Sequence, residues 1–351
     1  MNKTILVAPL NWGLGHATRC IPIIEALLAS NYKVIIGSDG NALLLLQKEF
    51  PQLESIELPA YNIRYGTKAN QFKRRILFQI PKIFAAITSE KRMIKKLVSE
   101  KRIDGIISDN RFGIRNSRIP CVYMTHQINV LSGKSTKISS AVHRSIIKKF
   151  DECWVPDLKG DLNLSGQLGH NKQIEYPPQY IGPLSRFKKQ DLPQKYDVLI
   201  LLSGPEPQRT MVELRLRELF KNTKLKTILV RGVIEKNQTK QKLHNIEIYN
   251  FMKSPELQDT LNQSKVVLTR PGYTTIMDLS KLGKKAFFIP TPGQFEQNYL
   301  AKRLHDKGIV PCEKQDRFTL KDLDKVDLYQ GLESLAEAKD LSSFFSLFER
   351  K

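Results

Sequence analysis

Residues 11–19 read NWGLGHATR, a glycine turn that ends in an imidazole and a guanidinium. Gly13 and Gly15 let the backbone turn sharply, and a helix starting there offers unpaired N–H groups and partial positive charge to an anion. Gly15 therefore counts among the candidate donor contacts. His16 brings an imidazole, a group whose ordinary pKa lies near neutrality and which can take a proton from a hydroxyl. The alternative is a histidine that only ties loop carbonyls. A second chemical group comes from IISDNRFG, residues 106–113, where Asp109 follows an apolar run. A carboxylate on the same sheet edge can hold the far nitrogen of His16, fixing its tautomer. A helix cap, or an ion pair with Arg111 or Arg115, is the competing reading. The turn is not GxGxxG, because His16 and Arg19 stand where a dinucleotide site needs small residues, and this argues against NAD.

The second half carries a different constellation. SGPEPQR, residues 203–209, is a small-residue turn in which Ser203 and Gly204 could lie against a phosphate. VVLTRPGYTTIMDLSKLG, residues 266–283, combines a strand, a turn at Gly272 and a helix expected from about Thr274 to Gly283. Its N-terminus with Thr274 and Thr275 could hold a diphosphate without a metal. Asp278 lies further along that helix and could accept both hydroxyls of a ribose. IPTPGQFEQN, residues 289–298, then places Glu296 and Gln297 at a helix start, an acceptor and amide pair suited to a polyhydroxylated ring. Each segment alone reads as an ordinary strand-loop-helix junction; their succession in this order points to a nucleotide-sugar site. The DxD triplet at Asp322–Asp324 sits in an acidic, helical stretch and reads as a solvated face.

Parallel strands must carry these turns. Strands are expected at 3–8, 33–37, 55–58, 105–108, 121–124 and 152–155, and again at 198–202, 226–230, 246–249, 266–268 and 285–289, with helical patterns between most of them. This alternation indicates an α/β fold of two Rossmann-like, doubly wound domains. GPLSRFKKQDLPQKY, residues 182–196, is the expected linker, separating a domain at 1–185 from one at 196–351. Residues 342–349 contain Phe344, Phe345, Leu347 and Phe348 and need a surface, which the first domain could supply.

The 351 residues carry a net charge of +21, with 41% hydrophobic and 26% charged residues. That is a soluble globular composition, and no run approaches the roughly 18 apolar residues of a membrane span. Cys20, Cys121, Cys153 and Cys312 form no CxxC pair, so neither a zinc site nor a disulfide framework is expected, and a cytoplasmic setting fits. Twelve Lys and Arg crowd residues 64–102, interleaved with apolar residues and broken by Pro81. Such a stretch could lie peripherally on an anionic membrane. A core-facing helix pair with a solvated basic face is the equal alternative. No nucleic-acid-binding motif accompanies the charge.

The motifs resemble the GT-B glycosyltransferases, in the branch of the peptidoglycan N-acetylglucosaminyltransferase that forms lipid II. The likeness is most specific from Asn245 to Leu304, across NFM, TRPGYTTIMD and IPTPGQFEQNYLA, and rests in the first half on GLGHATR and IISDNRFG. It implies two domains facing across a cleft, with no cofactor beyond the nucleotide-sugar substrate. The backbone around Phe251 and Met252 would grip the base, Asp278 the ribose, and Gly272, Thr274 and Thr275, helped by Arg270 or the 203–209 turn, the diphosphate. Glu296 and Gln297 would read the sugar. His16 would be the acceptor-activating base with Asp109 as partner, and THQIN makes His126 and Asn129 acceptor-side candidates. The implied activity is inverting transfer from a UDP-sugar to a hydroxyl, lipid-linked if the basic stretch meets a membrane. An epimerase or hydrolase of the same fold and a non-catalytic nucleotide-sugar or membrane-surface binder are the alternatives. The reaction class carries over; the lipid II enzyme's own donor and acceptor do not, since its GGTGGH and GGSQGA patterns are replaced here.

Overall fold

The computed structural model describes residues 2–61, 72–170, 177–204, 206–333 and 339–349. The chain divides into two compact units with a boundary between Leu184 and Ser185, inside the expected linker, and residues 339–349 belong to the first unit.

The first unit is built on a seven-stranded sheet. Its elements are β1 (Thr4–Pro9), α1 (Gly15–Ala29), β2 (Lys33–Ser38), α2 (Gly40–Glu49), β3 (Glu54–Glu57), α3 (Phe72–Ser99), β4 (Gly105–Asp109), β5 (Cys121–Met124), α4 (Thr136–Ile147), β6 (Glu152–Val155) and β7 (Gln179–Tyr180). The strand order is β3-β2-β1-β4-β5-β6-β7 and every pairing is parallel. β1 reads as a continuous apolar run because both of its faces are covered: Ile5, Leu6, Val7 and Ala8 are all fully buried. α1 begins at Gly15 and continues through Pro22 to Ala29. Ala17, Ile21, Ile24 and Leu27 form its buried stripe. Along the described side chains of α3, Ala86, Glu90, Ile94 and Leu97 are buried, whereas Lys82, Lys91, Arg92, Lys95 and Lys96 are exposed. That is the core-facing stripe with a basic outer face. The rest of the basic stretch, residues 64–71 and the side chains of 72–80, lies outside the described residues.

The tail packs on this unit. Phe344, Phe345 and Phe348 surround Trp154 at centroid distances of 6.0, 6.3 and 6.4 Å, and Lys3 Nζ donates to the Phe348 carbonyl at 2.5 Å. A Cβ on Gly105 would come within 2.6 Å of the Phe348 ring, so glycine at the start of β4 is what admits that side chain.

The second unit has β8 (Tyr196–Leu201), α5 (Gln208–Phe220), β9 (Thr227–Val230), β10 (Lys240–Leu243), β11 (Ile246–Tyr249), α6 (Ser254–Asn262), β12 (Ser264–Thr269), α7 (Tyr273–Leu282), β13 (Lys285–Phe288) and α8 (Phe295–Asp306). The sheet order is β10-β11-β9-β8-β12-β13, with β10 alone antiparallel. β10 and β7 have no counterpart in the sequence reading. β10 is KQKL, a largely exposed polar edge strand joined to β11 across His244 and Asn245, and it shows no apolar alternation. α7 ends at Gly283, which is left-handed at φ 63°, the conformation that glycine takes at a helix C-terminus without a Cβ clash.

The DxD region departs from expectation. Asp322 is buried and accepts from the Thr319 N–H at 2.8 Å, Thr319 Oγ1 at 3.0 Å and Lys325 Nζ at 2.7 Å. It caps the short helical stretch Leu320–Leu328, whereas Asp324 is exposed as expected.

Candidate functional site

In each unit the sheet has one point where successive crossovers leave in opposite directions, and ligands of open α/β sheets bind outside the carboxyl ends of the strands at such a point. In the first unit it lies between β1 and β4, where Pro9 pairs with Asp109. The Leu10 N–H donates to the Asp109 carbonyl at 2.9 Å, which ties the start of the 10–14 turn to the end of β4. Gly13 sits in that turn at φ 78°, a value side-chain-bearing residues avoid, and α1 then opens with Gly15 and His16.

His16 and Asp109 meet there. His16 Nδ1 lies 3.0 Å from Asp109 Oδ1; the carboxylate is fully buried, while the His16 side chain keeps 13% exposure. Arg19, one turn along α1, enters the same cluster. Its Nε donates to Asp109 Oδ2 at 2.7 Å and Nη2 donates to Oδ1, a two-pronged fork. Nη1 lies 2.8 Å from His126 Nδ1, and Nη2 lies 2.8 Å from His16 Nδ1. Burial alone would raise the Asp109 pKa, but Arg19 and His16 outweigh it and hold the carboxyl well below the usual range. Asp109 is thus a permanent acceptor. The ion-pair partner is Arg19 and neither Arg111 nor Arg115: Arg111 donates to Glu90 at 2.8 Å and to Asp39 at 2.7 Å. Asp39 in turn accepts from Asn11 Nδ2 at 3.0 Å, so this buried network braces the start of the glycine turn.

His126 follows β5 and is buried. Guanidinium groups only donate, so its Nδ1 accepts from Arg19 Nη1. Asn129 is spent on structure: Nδ2 donates to the Gln167 carbonyl at 2.7 Å, and Oδ1 accepts from Arg144 at 3.1 Å. It shapes the 166–170 loop beside the site.

In the second unit the switch point lies between β8 and β12, whose exits are residues 202–204 and 270–272. Ser203 and Gly204 are partly exposed, and Gly204 is at φ 108° with open space where a Cβ would stand. Gly272 precedes α7 with an ordinary φ of −72°, and a Cβ there would meet only Thr275 Oγ1, at 3.7 Å. Neither backbone strain nor packing asks for glycine at 272. Thr274 is buried and Thr275 partly buried in the first turn of α7.

Asp278 accepts from Ser185 Oγ at 2.7 Å. Burial raises its pKa against the opposing pull of Arg186 and Ser185, and the carboxyl is pushed up to about 6. Gln297 Oε1 accepts from the Thr291 N–H at 2.8 Å, so this amide holds the 289–294 loop, while Glu296 sits partly exposed in the first turn of α8. The Phe251 N–H donates to Asn250 Oδ1, and its carbonyl accepts from Gln238, each at 2.9 Å; Met252 is buried with its sulfur against Thr260. The NFM turn is therefore shaped by its own side chains.

Arg270 is buried and clamps loops. Nη1 donates to the carbonyls of Ile289 and Pro290 at 2.8 and 3.0 Å, and Nη2 to Gln208 O at 3.3 Å and Gln315 Oε1 at 2.6 Å. Burial lowers its pKa to about 10. The sequence reading gave it a diphosphate contact; its hydrogen bonds go to protein oxygens of the loop after β13, of the start of α5 and of Gln315. Arg19 is the residue that reading missed, having weighed it only as too bulky for a dinucleotide turn. Its i, i+3 spacing from His16 on one helix face was the available signal. No group of acidic, His or Cys side chains suited to a metal ion occurs among the described residues.

Residues 199–346 match the glycosyltransferase family 28 C-terminal domain. A protein of Sulfurihydrogenibium sp. (strain YO3AOP1), named UDP-N-acetylglucosamine--N-acetylmuramyl-(pentapeptide) pyrophosphoryl-undecaprenol N-acetylglucosamine transferase, is 23% identical over 337 residues, covering 94% of this chain and 88% of its own. Among solved structures, the glycotransferase of kitacinnamycin aligns with a TM-score of 0.61 at 15% identity, over 99% of this chain and 95% of that one. The Streptomyces sp. SF2575 glycosyltransferase SsfS6, complexed with thymidine diphosphate, aligns at 0.56 with 12% identity, over 89% and 88%. At these identities the solved structures speak to the fold.

Proposed function

We propose, the chain being a glycosyltransferase of the GT-B fold with a C-terminal domain of the family 28 type, that it transfers a sugar with inversion from a UDP-sugar to a hydroxyl acceptor and that His16 is the base. The observation that carries this reading is the 3.0 Å contact of His16 Nδ1 with buried Asp109 at the switch point of the first sheet. In the tautomer that carries its proton on Nδ1, where Asp109 Oδ1 accepts from both His16 Nδ1 and Arg19 Nη2, Nε2 presents a lone pair to the acceptor. The acceptor O–H gives its proton to Nε2 as its oxygen attacks C1; the bond from C1 to the diphosphate oxygen breaks, and the nucleoside diphosphate leaves with that electron pair. The N-terminus of α7, Gly272, Thr274 and Thr275 are assigned the diphosphate charge, Asp278 the ribose and Glu296 the sugar. In this scheme no step passes through a metal ion.

The name of the Sulfurihydrogenibium relative specifies a UDP-sugar donor and an undecaprenol-linked acceptor, and SsfS6 holds a nucleoside diphosphate; both support the donor class, and the former supports a lipid-linked acceptor. No helix among the described residues is long and apolar enough to cross a membrane, so a lipid acceptor would be met at a surface, and the basic face of α3 suits that role.

The test is a donor screen that follows nucleoside diphosphate release with and without lipid extract, run beside His16→Ala. Acceptor-dependent release that falls by about two to four orders of magnitude in the variant is expected. Release indifferent to acceptor points to a hydrolase or epimerase, and release indifferent to His16 removes the base.

A further inference from the structure

We propose that Arg19 is a positioning residue of the transfer reaction, supplying the counter-charge that buried Asp109 requires so that His16 can be oriented by the carboxylate without becoming its counter-ion. The inference rests on the reading of His16 as the base and adds the condition under which a base can exist there.

An ionised carboxylate with no solvent exposure is tolerated only when it is paired. Two partners reach Asp109. Were His16 alone, the favoured state would be imidazolium facing carboxylate, and an imidazolium has no lone pair for an acceptor proton. Arg19 changes that balance. Its Nε–Oδ2 bond of 2.7 Å and the Nη2–Oδ1 bond form a fork from a group that stays charged at any working pH, so the carboxylate is neutralised by a residue that takes no part in proton transfer. Nη2 also lies 2.8 Å from His16 Nδ1; in the Nδ1–H tautomer both N–H groups share Asp109 Oδ1, and positive charge on the ring is opposed at contact distance. Nη1 meets His126 Nδ1 at 2.8 Å, and a protonated His126 would set N–H against N–H. One guanidinium therefore lies against both imidazoles and shares Asp109 with His16, whose Nδ1–H the carboxylate accepts in the tautomer that leaves Nε2 free for the acceptor. The titratable and charged groups facing this cluster among the described residues are Arg19 and Cys20 on α1, Asp109 at the end of β4, and Tyr123 and His126 on and after β5. The Cys20 thiol, 3.8 Å from Asp109, is itself pushed up by burial and adds no charge.

The experiment is NMR titration of the ring nitrogens of His16 in the full chain without substrate, assigned with His16→Gln, in the wild type, Arg19→Met and Arg19→Gln. Both variants remove the charge, and Gln keeps a donor, so one serves if the other does not fold. In either variant the His16 midpoint should rise by about one pH unit or more, as imidazolium replaces guanidinium beside Asp109. The ascending limb of kcat/KM against pH should move up equally, with donor KM unchanged within about twofold. An Arg19→Lys chain, which restores a point charge without the fork, should recover most of the shift. A folded variant whose His16 midpoint stays within about 0.3 units of wild type, or falls, overturns the proposal. The two readings fail separately: a shifted ring with catalysis indifferent to His16 removes the base assignment, and an unshifted ring with His16-dependent catalysis removes the role of Arg19.

Discussion

Asp278 offers a quantitative test of the donor half. Its carboxyl titrates near 6, raised from 3.8 chiefly by burial. A carboxylate that accepts ribose hydroxyls must be ionised, so the donor binds one protonation state and the apparent Kd is the intrinsic value divided by the ionised fraction. With a midpoint near 6, that fraction rises from about one-tenth at pH 5 to about nine-tenths at pH 7, and affinity should rise by about tenfold and then level off. Asp278→Asn removes the titration: its affinity should be flat from pH 5 to 7 and, at pH 7, weaker by about 1.5–3 kcal/mol, the usual worth of hydrogen bonds to a charged group. The assay is calorimetry with an intact UDP-sugar, whose diphosphate is esterified at both ends and does not itself titrate in this range. Near pH 6 the wild type should release about half a proton per ligand bound, visible as a dependence on buffer ionisation enthalpy. Stability has its own sign. A folded pKa above the unfolded one means that from pH 3.8 to about 6 the unfolded chain sheds a proton the native state keeps, so the wild type loses stability over that window. At pH 7 Asp278→Asn should therefore be the more stable protein by about 1–2 kcal/mol, after discounting for the partial exposure of the site. Donor affinity constant within about twofold between pH 5 and 7, or a tenfold dependence that survives in the Asn variant, refutes the assignment of Asp278 to the ribose.

Gly272→Ala should melt within about 2 °C of wild type, since its Cβ meets only Thr275 Oγ1, yet raise the donor KM by about fivefold or more; a melting loss without a KM change would mean the glycine serves the fold. Arg270→Met leaves three carbonyls and the Gln315 amide oxygen without their donor, and should cost about 2–4 kcal/mol in denaturant unfolding; a loss under about 0.5 kcal/mol would show that those bonds do not hold the loops. The chain should sediment with phosphatidylserine vesicles at low salt and be released at high salt, with Lys91→Glu/Lys95→Glu weakening it by about tenfold or more; no sedimentation at either salt concentration removes the membrane role of α3.

Most of the parallel strands were legible because they are short apolar runs that both faces of a sheet must bury, the two-residue β7 of Gln and Tyr being missed for want of one, and the α7 start and Gly283 stop followed from turn and cap chemistry. β10 was illegible for the opposite reason: an exposed edge strand of Lys, Gln, Lys and Leu needs no apolar pattern, and its pairing comes only from β11. His16 and Asp109 could be placed on one sheet edge from strand ends alone. What sequence could not assign was which cation each carboxylate takes. Arg111 and Arg115 are nearer to Asp109 along the chain, but the first is drawn off by Glu90 and Asp39, and Arg19 arrives through the β1–β4 pairing. Partner choice in a buried charge cluster depends on three or more elements at once, which no local spacing encodes. The same holds for Asn129, Gln297 and Arg270, polar residues in ligand-like loops whose bonds turn inward to shape those loops.

The aromatic tail has a consequence for how the chain comes to be folded. The first unit has Phe348 set against Gly105 and three Phe rings around Trp154, so its core is finished by side chains made after the entire second unit. During synthesis the order of completion is therefore reversed from the order of translation: residues 185–333 can close their sheet while the first unit still exposes the Trp154 face. The half carrying His16 waits longest for its last contacts, and a nascent chain stalled between 333 and 344 would hold a finished second unit and an unfinished first one.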